Sequence, residues 1–472
     1  MSQGDTSNPN RRGDVGLRRS VSRLNILIAG AAAIIGIIYG YDLGSIASAI
    51  LFLQPDFNLS TFMVSVVTAT VVLGQLAGAF SAGRISNRLG RKRTMVAIAL
   101  GYAIFAALQG LSPNEWFLIV ARFLLGFAIG VSIVTAPAYI AESSPRSVRG
   151  SMIVTFQVAT VAGIATAYLA GAALASFESW RLILSLSAVP ALIVLFLVFR
   201  LPESPRWYLM NGQREEALDL IRRVQGDVDP EEEVHRIEED LAYEEKGSLL
   251  EVFQGHFRKA GFFVVFLGFL VQITGINAIV YYSPTIIQQV GVTDPVQAIG
   301  VNGLIQIAGV VAVVLSFLVV DRWGRRPTLL TGVGTMGAAN AVLVLAFALG
   351  PSTVLAFVGI LLFIVGFNFG YGSLVWVYAS ESFPLRLRTQ GGSAMLTADL
   401  LANFLVGVVF LNELGTLGGP LTFGIFFALA LLSFLFIYTL APETKGRQLE
   451  AIRQYWYNGA KWPEEAAQKT RT

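Results

Sequence analysis

The sequence predicts an all-α membrane protein whose twelve transmembrane helices form two similar six-helix halves, and three observations predict it. The 472 residues are 54% hydrophobic and only 14% charged, against about 25% charged in an ordinary soluble domain, and the mean hydropathy is +0.63. Twelve apolar runs are long enough to cross a bilayer. Short polar motifs recur in the two halves at nearly one offset.

A soluble fold of this size could not cover so much apolar surface with so few charges, so lipid is its simplest solvent. A span needs about 20 apolar residues. Six runs, roughly 23–50, 61–83, 94–111, 114–138, 151–174 and 181–200, precede a polar stretch at 201–257. Six more follow it, at roughly 259–288, 297–320, 327–349, 352–378, 390–411 and 419–440. These runs are too long and too uniformly apolar for barrel strands, and an open sheet could not satisfy its backbone in lipid, so they are helices. The chain divides into a cytoplasmic N-terminal tail (1–22), a six-helix bundle (23–200), a cytoplasmic linker (201–257), a second six-helix bundle (258–440) and a cytoplasmic tail (441–472). The first tail is basic and has no small-residue cleavage site after a short apolar core, so it reads as retained rather than as a signal peptide. Within the linker, Arg214 to Gln225 and Pro230 to Tyr243 have the composition of short amphipathic helices; a plain linker is the alternative.

Lys and Arg set the orientation. One set of loops holds Arg84 to Arg93, Arg146, Arg149, the linker, Arg322 to Arg326, Arg386, Arg388, Lys445 and Arg447, while the opposite loops hold none, Arg181 being the near exception. Both termini and the linker are therefore expected in the cytoplasm, with the chain in the cell membrane as a monomer surrounded by lipid. With no cysteine, disulfides and thiolate chemistry are excluded. The two histidines, His235 and His256, lie in the linker. There is no P-loop, metal-ligand cluster or nucleophile–base pair, so neither an enzyme nor a nucleotide-driven pump is expected, and no cofactor. A net charge of +3 needs no nucleic-acid partner.

The repeat has three parts. Gly83-Arg-Ile-Ser-Asn87-Arg88-Leu-Gly90-Arg91-Lys92 matches Val320-Asp321-Arg322-Trp-Gly324-Arg325-Arg326. Glu142-Ser-Ser-Pro145 with Arg149 matches Glu381-Ser-Phe-Pro384 with Arg386 and Arg388. Pro202-Glu203-Ser204 matches Pro442-Glu443-Thr444. The offsets are about 234 to 240 residues.

Together with Gly40-Tyr41-Asp42, Arg122, Pro202-Glu203-Ser204-Pro205-Arg206-Trp207, Gln272, Gly275-Ile276-Asn277, Tyr281-Tyr282 and Pro442-Glu443-Thr444-Lys445-Gly446, these motifs resemble the sugar-porter branch of the major facilitator superfamily, over about residues 25 to 450. The resemblance implies two six-helix bundles related by a pseudo-two-fold along the membrane normal, a site between them and rocker-type alternating access. It implies proton-coupled symport of a small sugar or polyol. A facilitative uniporter, a symporter of a non-sugar solute and a non-transporting nutrient sensor are the alternatives; sensors of this fold tend to carry long cytoplasmic tails, and the C-terminal tail here has about 30 residues.

The cytoplasmic motifs place Arg88, Arg91, Glu142, Arg149 and Glu203 in one half and Asp321, Arg322, Arg325, Glu381, Arg388 and Glu443 in the other. Pairs between halves would lock the inner face shut; exposed pairs are worth only about 0–1 kcal/mol each, which suits a switch that breaks them every cycle. The plainer reading is that these arginines only set topology. Asn87 stands where the wider superfamily often has Asp.

A charge inside the bilayer is a functional hypothesis by default, and the candidates are Asp42, Arg122 and Asp399. Beside Arg122 the Asp42 carboxylate keeps its charge; away from it, in a dry site, it takes a proton. In the resemblance, Asp at this position marks proton-coupled members; a static buried pair and a facilitator are the alternatives. Gln157, Gln272, Asn277 and Trp376 match the family's binding positions and suit a sugar, with amides that donate and accept and an aromatic face for the ring. A lone membrane amide can instead be helix–helix glue. Tyr281 and Tyr282 read as an outer gate or as interfacial anchors, and Gly275 and Pro284 as a place where the seventh helix bends. Departures from the family pattern are Val271, Gly309, Ser373-Leu374-Val375, Asp399 and Leu400. Asp399 is open to three readings: a polyol hydroxyl site, a second proton site, or a preference for a cationic substrate.

Overall fold

A computed structural model describes residues 23–144, 146–224, 229–244, 248–350 and 352–462; the tail at 1–22 and residues 463–472 lie outside the described residues. Among these, all regular structure is helical. In the first half α1 (Arg23–Asp56), α2 (Thr61–Leu89), α3 (Arg91–Gly110), α4 (Glu115–Ser143) and α5 (Arg146–Leu174) each cross once, while the sixth crossing is split into α6 (Trp180–Ser185) and α7 (Ala188–Phe199). The linker forms α8 (Pro205–Met210), α9 (Arg214–Val224) and α10 (Pro230–Glu244). In the second half the seventh crossing is α11 (Arg258–Ile273) with α12 (Ile276–Gln289), followed by α13 (Pro295–Trp323), α14 (Arg325–Ala348) and the tenth crossing, α15 (Thr353–Phe369) with α16 (Tyr371–Glu381). Then come α17 (Leu385–Leu440) and the short α18 (Leu449–Tyr457). Eleven stretches are long and apolar enough to span; α17 is itself two spans joined at Gly418, where φ 74° and ψ 165° leave the helical region, so the twelve expected crossings are present. The linker helices are amphipathic, closing a small core of Leu218, Ile221 and Val234.

The helix ends follow capping chemistry. At the face away from the linker, Ser60, Asn114, Ser179, Asp294 and Ser352 each accept a backbone N–H of the first turn that follows, meeting donors the helix cannot satisfy itself. The seventh crossing breaks at Gly275, whose φ of +103° favours glycine, so the bend falls there while Pro284 sits inside α12.

Lipid is as apolar as a leucine side chain, so membrane helices associate by close approach rather than by expulsion from solvent. Within the first half α1 packs along α5 and α2 along α4. A Cβ at Gly40 would lie 1.8 Å from the Thr160 carbonyl oxygen. The halves meet where α5 faces α13, α2 faces α17 and α1 faces α12. The contacts that define these seams lie toward the face away from the linker: Gly171 beside Ile299, Gly303 beside Leu169, and Gly407 beside Ala69. That face is closed.

Glycine to alanine normally favours a helix by about 1 kcal/mol. Gly40→Ala is nonetheless expected to lower the melting temperature of the purified protein, because the α1–α5 seam must open by over an ångström; overpacking of this kind costs about 1–3 kcal/mol. Gly424→Ala, where nothing lies within 4 Å of the added carbon, is the control expected to melt no lower. Equal melting of the two variants would mean that the α1–α5 approach does not hold the bundle.

Candidate functional site

Two polar groupings occupy the interior. In the first half, Arg122 of α4 is completely buried and its Nη1 lies 3.7 Å from Oδ1 of Asp42 on α1. The guanidinium has other acceptors: Nε donates to the Val67 carbonyl at 2.7 Å, Nη1 to Gln109 Oε1 at 3.3 Å and Nη2 to the Thr68 carbonyl at 3.5 Å. Arg122 is thus held by α2 and α3 whether or not Asp42 stays. Asp42 is less well provided. Its Oδ2 is buried with no hydrogen-bond partner, and an unsatisfied buried oxygen costs about 1–3 kcal/mol.

In the second half, Asn277 Nδ2 donates to Gln272 Oε1 at 2.7 Å, and Gln272 Nε2 donates to Asp399 Oδ1 at 2.9 Å. The break at Gly275 makes this chain possible, because it lets residues on α11 and α12 turn toward the same face of α17. Gln157 on α5 is partly exposed and outside this chain, and Trp376 on α16 is 39% exposed. The space a side chain at Gly309 would fill is occupied by Ile364 and the Asn368 amide.

Tyr281 and Tyr282 are fully buried at the closed end. The Tyr282 hydroxyl donates to the Gly407 carbonyl at 2.8 Å, its ring stacks on Phe410 at 5.5 Å, and Thr68 and Ser65 of the opposite half lie within its reach. Tyr281 reaches Asn403 Oδ1 at 3.4 Å. Tyr168, which the sequence reading missed, bonds across the seam to the Val280 carbonyl and lies 3.1 Å from Ser283 Oγ. Gln109 was also missed; a polar amide within an apolar run was the available signal. Arg181 pairs with Asp56 at 2.8 Å and stacks over Trp180 at 4.2 Å, which accounts for a cation at this face.

At the linker face, the polar motifs find partners within their own halves. Arg91 grips Glu142 through Nε at 3.0 Å and Nη2 at 3.1 Å, and Arg206 stands 3.9 Å from the same carboxylate. Glu203 accepts from the Lys92 N–H at 3.0 Å and the Ser204 N–H at 2.9 Å. Its counterpart Glu443 accepts from the Arg325 and Arg326 N–H groups, each at 3.1 Å, and from Lys445 N–H at 2.8 Å. Asp321 pairs with Arg325 at 3.0 Å. Glu381 lies in the field of Arg325 and Arg388. Arg88 and Arg322 are exposed at helix ends, and the Arg149 side chain lies outside the described residues. These bonds run within a half, where the sequence suggested pairs between halves. The reason is geometric: the close approaches between halves at Gly171, Gly303 and Gly407 lie at the other end, and each acid turns to its own bundle. Glu203 and Glu443 cap the starts of α3 and α14, whose preceding residues Gly90 and Gly324 have φ of +95° and +108°.

Residues 28–456 match the family described as sugar (and other) transporter. The chain is 34% identical to the galactose-proton symporter of Escherichia coli K12 over 448 residues, 94% of this chain and 97% of that one. It is 33% identical to the major myo-inositol transporter of Bacillus subtilis over 446 residues, 90% of this chain and 94% of that one. Among solved structures it is similar to the major facilitator proton:xylose symporter XylE bound to 6-bromo-6-deoxy-D-glucose, with a TM-score of 0.78 and 25% identity, covering 93% of this chain and all of that one.

Glu443→Ala strips three N–H groups of their acceptor at once. It is expected to destabilise the purified protein by about 1–3 kcal/mol, read as a lower melting temperature, whereas Arg88→Ala, at an exposed helix end, leaves it within error. Equal melting of both would mean that Glu443 caps nothing of consequence.

Proposed function

The chain belongs to the sugar (and other) transporter family, and we propose that it is a secondary active transporter that moves a small sugar or polyol together with protons by alternating access. Its relatives named for galactose-proton symport and myo-inositol transport support the substrate class. The observation that carries the coupling is the Asp42–Arg122 pair at 3.7 Å: the arginine has three other acceptors, and the acid has an oxygen with none. Asp42 can therefore take a proton and leave Arg122 without stranding a buried cation, which a static ion pair could not do cheaply.

In this reading, Gln272 and Asn277 hold substrate hydroxyls beside Asp399, with Gln157 and Trp376 completing the site from α5 and α16. Tyr281, Tyr282 and Tyr168 shut the outer end. Outward opening parts the α5–α13 and α2–α17 seams and brings the halves together at the linker face. There the arginines and glutamates around Arg91, Glu142, Arg325 and Glu381 come within reach of the other half and hold that face closed. The distribution of Lys and Arg puts both termini in the cytoplasm and the carrier in the plasma membrane, where it works as a monomer on a substrate it does not alter.

The test is uptake of labelled hexoses, pentoses and polyols into proteoliposomes with and without a pH gradient. Asp42→Asn is expected to lose the accumulation its proton drives, about tenfold per unit of pH gradient, while counterflow exchange continues; undiminished accumulation would remove Asp42 from coupling. Asn277→Ala is expected to raise the half-saturation concentration about tenfold, and unchanged kinetics would take Asn277 out of the site.

A further inference from the structure

Asp399 lies deep in the membrane, about 21 Å along α17 from Leu385, and is only 8% exposed. Within the membrane α17 packs against α2, α11, α12, α14 and α16. No charged residue occurs in α2 between Thr61 and Gly83, in α11 and α12 beyond Lys259, in α14 beyond Arg326, or in α16 before Glu381. α10 and the turn at Leu249–Phe253 bring charges only to the linker end. The titratable groups on these helices are tyrosines: Tyr281 and Tyr282 bond Asn403 and Gly407 farther along α17, Tyr371 bonds Ser433, and Tyr378 bonds the Pro442 carbonyl. From the opposite half, Tyr39 of α1 lies in the field of both Asp399 and Asp42. Asp42 has Arg122 at 3.7 Å. Asp399 has no such cation among the described residues.

The hydrogen bonds around it have a direction. Asn277 donates to Gln272, and Gln272 donates to Asp399 Oδ1, so the acid is the terminal acceptor. Among the described residues Oδ2 makes no hydrogen bond, and the side chain keeps some accessible surface. A carboxylate with one amide donor and no counter-ion cannot keep its charge once the remaining water is displaced. A neutral substrate seated on Gln272 and Asn277 displaces that water.

We propose that Asp399 is a second proton-binding site, which takes a proton on Oδ2 as substrate seals it and returns the proton as substrate leaves. The inference rests on the transport reading above. The proton comes from water on the side of entry, forms an O–H bond at Oδ2, and goes back to water on the side of exit; no substrate bond is made or broken. With Asp42 carrying the other proton, two protons and two positive charges cross with each neutral substrate.

The test is steady-state accumulation in proteoliposomes with the membrane potential clamped at zero, across a series of pH gradients. Two protons give about a hundredfold accumulation per pH unit and one gives about tenfold. The wild type is expected to follow the first and D399N the second. A wild-type slope of one proton, or an equal slope in D399N, would overturn the proposal. So would preferential uptake of an amine-bearing sugar over its neutral parent that disappears in D399N, since an ammonium would then be what meets the acid. Infrared spectra of the purified carrier with and without substrate give a readout without transport: a protonated carboxyl band that appears when substrate is added to the wild type and to D42N, but not to D399N, is expected, and its failure to appear in the wild type refutes the site. If no sugar or polyol moves at all, the transport reading fails, whereas transport without the band overturns the Asp399 site alone.

Discussion

A guanidinium removed from water must find its acceptors in the protein, and much of the first half is arranged around how Arg122 finds them. The Val67 and Thr68 backbone carbonyls of α2 and the Gln109 amide of α3 surround it. One side chain on α4 thereby ties together three helices, and α1 is joined to them through Asp42 at the looser distance of 3.7 Å. The four contacts are unequal. The fixed ones hold the bundle together; the loose one belongs to the helix that also touches the other half through α12.

The second half solves the same problem without a cation. Its interior acid is met by amides, and those amides reach it because the seventh crossing stops and restarts at Gly275. The halves are similar in crossing number and in the motifs at their linker ends, but not in their interiors. The carboxylate in one is paired with a permanent charge; the carboxylate in the other has only neutral donors. Two halves of related fold thus hold their interior acids in different electrostatic surroundings.

The linker ends show how far the repeat extends into structure. Glu203 and Glu443 each lie beside a glycine of positive φ and cap the helix that follows it. Two backbone N–H groups on an N-terminus can hold a carboxylate in place, so these acids act first as caps. Any role between the halves requires the linker face to close, and in the present conformation the seams lie at the other end.

Much of this was legible in the residues. Twelve crossings, the linker helices near Arg214 and Pro230, the repeat and the bend at Gly275 follow from hydrophobic run length, helix-forming composition and glycine chemistry, all of which are local. Asp42, Arg122 and Asp399 stood out because a charge in an apolar run is costly wherever the chain goes. What each of them touches was not legible. That Gln109 and two carbonyls hold Arg122, that Asn277 and Gln272 line up on Asp399 while Gln157 and Trp376 stand apart from that chain, that Tyr168 bridges the seam, and that Arg91 turns to Glu142 in its own half are decided by which helices lie side by side and at which end the halves meet. The sequence by itself determined which segments enter the membrane, because transfer into lipid depends on each segment's own composition. Only the tertiary structure decided the partners, because a buried polar group bonds to whatever its neighbouring helices bring within 3 Å, and that depends on packing across the whole bundle.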